Sequence, residues 1–297
     1  MSRPDLKAVV LPSFFEQLFG YLQENKNSEN HTKLLGILKC IASIYKHGKR
    51  EDLLQYTLPT LKHLIQLDLL NTSSLSLIRK FHIKIIQRIG VTFFKAKVAK
   101  WRYQRGSRVL MEKISSRQAD GSGATVQAAA EDEDEEMVPE EVEDIIDQLL
   151  IGLKDQETIV RWSAAKGVGR ITNRFSKAMA SDVLASVLDL FAFVEDVFAW
   201  HGGCLSIAEL GRRGLLLPGQ LSTVVPIVLS ALVFDKKIGN FSFGSNVRDS
   251  ACYVCWALAR AFEPDVLTPH VNSIAATLVC LFVEYWRGDS ISVLFVR

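Results

Sequence analysis

One helical pattern is written three times in the second half of the chain. The first copy is Val160-Arg161-Trp162-Ser163-Ala164-Ala165-Lys166-Gly167-Val168-Gly169-Arg170-Ile171, preceded by Asp155. The last is Val247-Arg248-Asp249-Ser250-Ala251-Cys252, continuing to Cys255 and Leu258 and preceded by Asp235. Between them lies a degenerate copy, Ala199-Trp200-His201-Gly202-Gly203-Cys204, with Ile207 and Leu210 after it and Glu195 and Asp196 before it. The copies begin at 160, 199 and 247, so they are 39 and 48 residues apart. Paired helices recurring at about 40–47 residues mark HEAT and armadillo arrays. Each repeat buries its apolar face only against its neighbours, so the pattern predicts an all-α, HEAT/armadillo-type helical-repeat solenoid. Such arrays hold other proteins on extended surfaces, which directs the reading away from catalysis.

Composition supports helices. The 297 residues are 48% hydrophobic, with 8 prolines and 18 glycines to interrupt them. A net charge of +2 gives no strong global attraction to nucleic acid. The five cysteines are odd in number and irregular in spacing, which is not a disulfide framework. The first residues lack the apolar core of a signal peptide, so a reducing, cytoplasmic address is expected. The most apolar stretch, Leu215 to Phe234, is broken by Pro218, Gly219, Gln220 and Pro226 and reads as a buried helix, with no membrane insertion expected.

Four organisational blocks follow. Residues 1–103 read as helical repeats of weaker signature. Their expected helices cover 5–24, with Pro12 as a kink or the true start, then a helix capped by Asn30 and ending at Gly48. A third runs from about 51 to 70 with Pro59 inside it, and a fourth from Ser73 or Ser74 to just before Gly90. Ile78-Arg79 there is a weak form of the Val-Arg position. Residues 104–138 read as a disordered insertion running from basic to acidic. Lys95, Lys97, Lys100, Arg102, Arg105 and Arg108 precede it or open it, and an unbroken acidic run spans Glu131 to Glu136. Residues 139–279 read as HEAT-like repeats, with helices over 140–153, 157–174, 181–194, 198–211, 221–234, 246–262 and onward from about 265. Residues 280–297 form an atypical tail that completes no repeat, and both ends read as parts of something longer.

Val160, Ala164, Val168 and Ile171 fall on one helical stripe, which is the packing face. Small Ala164 and Ala251 allow close helix approach. The Asp before each Val (Asp155, Asp235) and the Arg after it (Arg161, Arg248) suit a ladder in which acid and base of neighbouring repeats satisfy helix ends; Val160 and Val247 anchor the same turns. Trp162, Lys166, Arg170 and Asn173 are the candidate partner-facing residues of this helix, although tryptophans such as Trp162 and Trp200 more often serve packing. Arg212 and Arg213, flanked by Gly211 and Gly214, are a further candidate partner contact, with a basic helix end as the plain reading. No P-loop, zinc-spaced His/Cys set or nucleophile elbow is written in the chain, so no catalytic residue, cofactor or metal is assigned. Cys252-x-x-Cys255 fits core packing.

These motifs, with Trp200-His201-Gly202-Gly203-Cys204-Leu205-Ser206-Ile207-Ala208-Glu209-Leu210-Gly211-Arg212-Arg213 and the basic-then-acidic insertion, closely resemble the tubulin-specific chaperone D family, also called tubulin-folding cofactor D. The resemblance covers the chain from near its start to about Val279, within a family of much longer proteins. It implies cytosolic chaperones that bind β-tubulin after the chaperonin step and assemble or dissociate αβ-tubulin dimers. It implies cofactors C and E and an Arf-like small GTPase as partners, and stimulation of tubulin GTP hydrolysis only within a cofactor complex, so the chain is not expected to be an enzyme. Cytoskeletal, centrosomal and cell-junction association is implied as well. Two other classes stand beside this one. The basic segment 95–108 with Trp101 and Tyr103 could grip nucleic acid, which the small net charge and the nearby acidic run oppose. A generic HEAT-repeat scaffold without tubulin-folding activity fits the periodicity equally, and the specific residue matches oppose it.

Overall fold

Apolar residues returning every three to four positions produce twelve α-helices among the described residues. The computed structural model describes residues 4–24, 31–95, 99–106, 141–192, 196–238 and 241–286. The chain divides into two compact units, one of residues 1–97 and 140–174, the other of 98–139 and 175–297. The first and third sequence blocks therefore do not correspond to separate bodies, because 140–174 joins the N-terminal helices. Most of the expected insertion (107–138) lies outside the described residues, as does the capping position Asn30.

The first unit contains α1 (Pro4–Glu24), α2 (His31–His47), α3 (Arg50–Leu67), the short α4 (Leu69–Thr72), α5 (Ser76–Phe93), α6 (Glu141–Leu153) and α7 (Thr158–Thr172). Helix α5 lies at its centre and packs on α2, α3, α6 and α7. Its Ile78, Ile83, Ile85, Ile86 and Ile89 are fully buried with Leu38, Leu64, Leu149 and Val168. Two expected boundaries move for local reasons. Helix α3 passes through Pro59 and stops at Asp68, the one non-glycine with positive φ among the described residues (45°), so the expected helix to 70 is split there. Helix α5 continues past Gly90 to Phe93. A Cβ at Gly90 would lie 2.6 Å from Ile171 Cδ1, so this glycine serves a close helix crossing rather than a helix stop.

The second unit contains α8 (Lys177–Leu188), a 3-10 turn (Asp189–Phe191), α9 (Val197–Gly211), a second such turn (Pro218–Gln220), α10 (Leu221–Leu232), α11 (Ser245–Ala261) and α12 (Pro264–Trp286). Ser176 caps α8 through Met179 N–H, and Asp196 caps α9 through Phe198 and Ala199 N–H. Helix α9 is buried all round, from Ala199 to Gly211, as expected of a helix apolar on every face. A small antiparallel hairpin, β1 (Lys236–Ile238) with β2 (Phe241–Phe243), joins α10 to α11. It holds the only strands among the described residues, and the sequence pattern did not announce it. Helix α12 runs through residues 280–286, so that part of the expected tail is repeat helix; residues 287–297 lie outside the described residues. By length and composition alone α12 could also cross a membrane. Within the unit it packs on α10 and α11 through a half-buried stripe that includes Ile274, Leu278 and Leu281.

Candidate protein-docking surface

The Val-Arg motif resolves into a latch that closes the loop between paired helices. Arg79, Arg161 and Arg248 each occupy the fourth residue of their helix. Each turns back to carbonyls of the loop that leads into it. Arg79 donates to the carbonyls of Ser73 (2.8 Å) and Ser74 (3.1 Å). Arg161, 1% exposed, donates to the Asp155 and Gln156 carbonyls and to Thr158 Oγ1 (2.9 Å). Arg248 donates to the Phe234 carbonyl (2.7 Å) and stands 3.8 Å from the Asp235 carboxylate. A guanidinium has five donors in a fixed fork, enough to serve several orphan carbonyls at once.

The expected ladder between neighbouring repeats is present at Asp155. The Asp155 carboxylate is held by Arg79 of the preceding repeat, Nε to Oδ2 at 2.7 Å and an amino nitrogen to Oδ1 at 3.1 Å, and it also accepts the Glu157 N–H. Arg161 takes the main-chain oxygen of Asp155. In the degenerate copy Trp200 stands at the arginine position and is buried against Phe191 and Phe234. Val160, Ala164, Val247 and Ala251 are fully buried.

Away from the packing stripe, α5 and α7 present cations on one face of the first unit. Helix α5 carries Lys80, Lys84 and Arg88 at four-residue spacing, and α7 carries Trp162, Lys166 and Arg170 at the same spacing. Residues four apart lie on one helix face. Lys166 Nζ sits 5.2 Å from the Trp162 ring centre, and Lys84 Nζ 5.4 Å from that of Phe81. Arg170 donates to Gln87 Oε1 (3.2 Å), tying the two rows together. Lys84 is held below its ordinary pKa, first by burial and then by Lys80, Arg88, Lys166 and Arg170. Arg88 is lowered by burial and by Arg170. Asn173, the fourth candidate on α7, is half-buried at the end of that helix, and its Oδ1 has no hydrogen-bond partner. The α5 row was missed in the sequence, where the 80/84/88 spacing was the available signal.

The other candidates are spent on structure. Arg213 forms an ion pair with Glu209, and Arg212 Nε lies 3.3 Å from the same carboxylate, which is 1% exposed and also accepts from Tyr253 Oη at 3.4 Å. Both arginines thus neutralise a buried acid in their own helix turn, with the Arg212 side chain 42% exposed. The segment 99–106 is a strap laid along the second unit. Trp101 Nε1 donates to the Phe175 carbonyl (2.9 Å), Tyr103 N–H donates to the Gly214 carbonyl (2.8 Å), and the Tyr103 ring stacks on Phe262 at 4.9 Å. Arg105 donates to the Ala259 carbonyl (3.2 Å), and Gly106 N–H to Glu263 Oε1 (2.6 Å). Residues 104–106 are accordingly ordered, against expectation, and the Trp101 indole and Tyr103 ring are committed to packing rather than base stacking. Cys252 and Cys255 are half-buried rather than core; burial pushes the Cys255 thiol up to about 12, which keeps it protonated.

Residues 77–286 match a family described as tubulin-specific chaperone D-like, ARM repeats. Among curated proteins, tubulin-specific chaperone D from Dictyostelium discoideum is 38% identical over 258 residues, 83% of this chain and 17% of that protein. Tubulin-folding cofactor D from Schizosaccharomyces pombe is 27% identical over 152 residues, 46% of this chain and 14% of that protein. The chain spans less than a fifth of the length of these relatives.

Proposed function

The chain belongs to the tubulin-specific chaperone D-like family, and from that premise we propose that it works as a helical-repeat segment of a tubulin-holding chaperone. Its role is binding β-tubulin after the chaperonin step and taking part in the assembly or dissociation of αβ-tubulin dimers. Cofactors C and E and an Arf-like small GTPase are its further partners, in the cytoplasm and at the cytoskeleton, including centrosomes and cell junctions. The chain has no catalytic role of its own; stimulation of tubulin GTP hydrolysis belongs to the assembled complex. The observation that carries this reading is the family match over residues 77–286, on a helical-repeat fold whose recurring arginines, Arg79, Arg161 and Arg248, close loops.

The test is co-purification of the full 297-residue chain with native β-tubulin and the Arf-like GTPase, at low and moderate salt. Retention of tubulin supports the reading. A folded, helical chain that retains neither protein at either salt overturns it and leaves a generic repeat scaffold.

A further inference from the structure

We propose that the paired cation rows of α5 and α7 form a docking track for an extended, acidic polypeptide segment. The inference deepens the scaffold reading by naming what this face holds. Residues four apart on a helix are about 6 Å apart along its axis. Alternate residues of an extended chain are about 6.6 Å apart and point the same way. A strand of acidic residues laid along α5 therefore brings alternate carboxylates to Lys80 and Lys84 in near register, with Arg88, whose guanidinium also donates to the Ala42 carbonyl, closing the row. Lys166 and Arg170, on a helix packed directly against α5, meet the same strand from the other side.

The two lysines at the middle of the track are already positioned. Lys84 and Lys166 hold their ammonium groups over the Phe81 and Trp162 rings, 5.4 and 5.2 Å from the ring centres, so less rotamer freedom is lost when they bind an anion. Burial first, and then repulsion from Lys80, Arg88, Lys166 and Arg170, holds Lys84 below its ordinary pKa, and incoming carboxylates relieve the repulsive part. The same geometry disfavours nucleic acid. A single strand gains much of its affinity by stacking bases on open aromatic faces. Here each ring has a face occupied by an ammonium group.

The experiment measures fluorescence anisotropy of a short fluorescein-labelled oligoglutamate added to the full chain, with oligothymidylate of matched charge as competitor. The expected result is saturable binding to oligoglutamate that weakens with salt. The double substitution Lys84→Glu/Lys166→Glu should weaken it by about tenfold or more, the scale of roughly 1.4 kcal/mol. Reversing two exposed lysines elsewhere, Lys62→Glu/Lys177→Glu, should leave it within about twofold. Lys166→Arg should retain it, which separates loss of charge from loss of fold, and circular dichroism checks each variant. Equal binding by the Lys84→Glu/Lys166→Glu variant and the parent overturns the proposal, as does tighter binding of oligothymidylate than of oligoglutamate. Tubulin retention without oligoglutamate binding sinks this inference alone. Oligoglutamate binding without tubulin retention supports it and sinks only the tubulin reading.

Discussion

Two regions of this protein mix lysine or arginine with aromatic rings, and they have opposite fates. The run at 99–106 is dense in the sequence, yet its rings and main chain are consumed in binding Phe175, Gly214, Phe262 and Glu263. The rows on α5 and α7 are dilute, one cation every fourth residue, yet the fold gathers them on one face. Local density of charge is thus a poor guide to exposure. Periodicity is a better one, because a helix sorts residues by angle and not by neighbourhood in the sequence. Arg79 and Lys80 make the point at single-residue scale. Arg79 is buried on Asp155, while Lys80, one position on, adds to the positive potential at Lys84.

The comparison can be broken most severely at Gly214. Its φ is +74°, and a Cβ there would lie 2.1 Å from the Tyr103 carbonyl oxygen. Gly214→Val is expected to expel the strap and cost more than about 4 kcal/mol, read as loss of cooperative thermal unfolding of the second unit. If that unit melts unchanged, the strap is ornament and not structure. Asp155→Ala comes next. It leaves Arg79, whose side chain is 10% exposed, short of its carboxylate, for an expected loss of about 3 kcal/mol in urea denaturation. An effect below about 1 kcal/mol would place Arg79 with the surface cations after all.

Acidification gives a loss of similar or slightly smaller size in the first unit. Burial pushes His82 down to about 4, opposed in part by its 3.1 Å hydrogen bond with Gln148. Its proton binds the unfolded chain first, since the unfolded value is about 6.5. Stability is therefore complete above pH 6.5 and falls as pH drops towards 4, by up to about 3 kcal/mol. His82→Gln should flatten that slope in pH-dependent denaturation. The smallest effect on stability is expected from Lys84→Glu/Lys166→Glu, within about 0.5 kcal/mol, since surface substitutions away from packed networks change little. A thermal shift of that variant as large as that of Asp155→Ala would mean that the track is structural.

What could be read in the sequence was whatever a single helix dictates. Val160, Ala164, Val168 and Ile171 announce their stripe by spacing alone, and all four are fully buried. Lys166 and Arg170 announce themselves by falling off it, and both are exposed. What could not be read depends on residues far apart. Gly90 looks like a helix stop until Ile171 is known to cross it, and the spacing that announces a ladder does not name Arg79, 76 residues away, as the partner of Asp155. Trp101 and Tyr103 look available until residues 175 and 214 are placed beside them.

The strap also sets an order of events during synthesis. Most repeat arrays fold by contacts between neighbours, so each repeat can settle as it emerges. Here the hydrogen bonds of Trp101 with Phe175 and of Tyr103 with Glu263 close loops of 74 and 160 residues. At about 5–20 residues per second, the tyrosine waits roughly 8–30 s for its donor, the Glu263 N–H, to leave the ribosome. During that interval an aromatic, basic segment has no native place to go, and the second unit cannot complete its fold. A repeat protein that would otherwise fold as it is made is thereby given a late, non-local closing step.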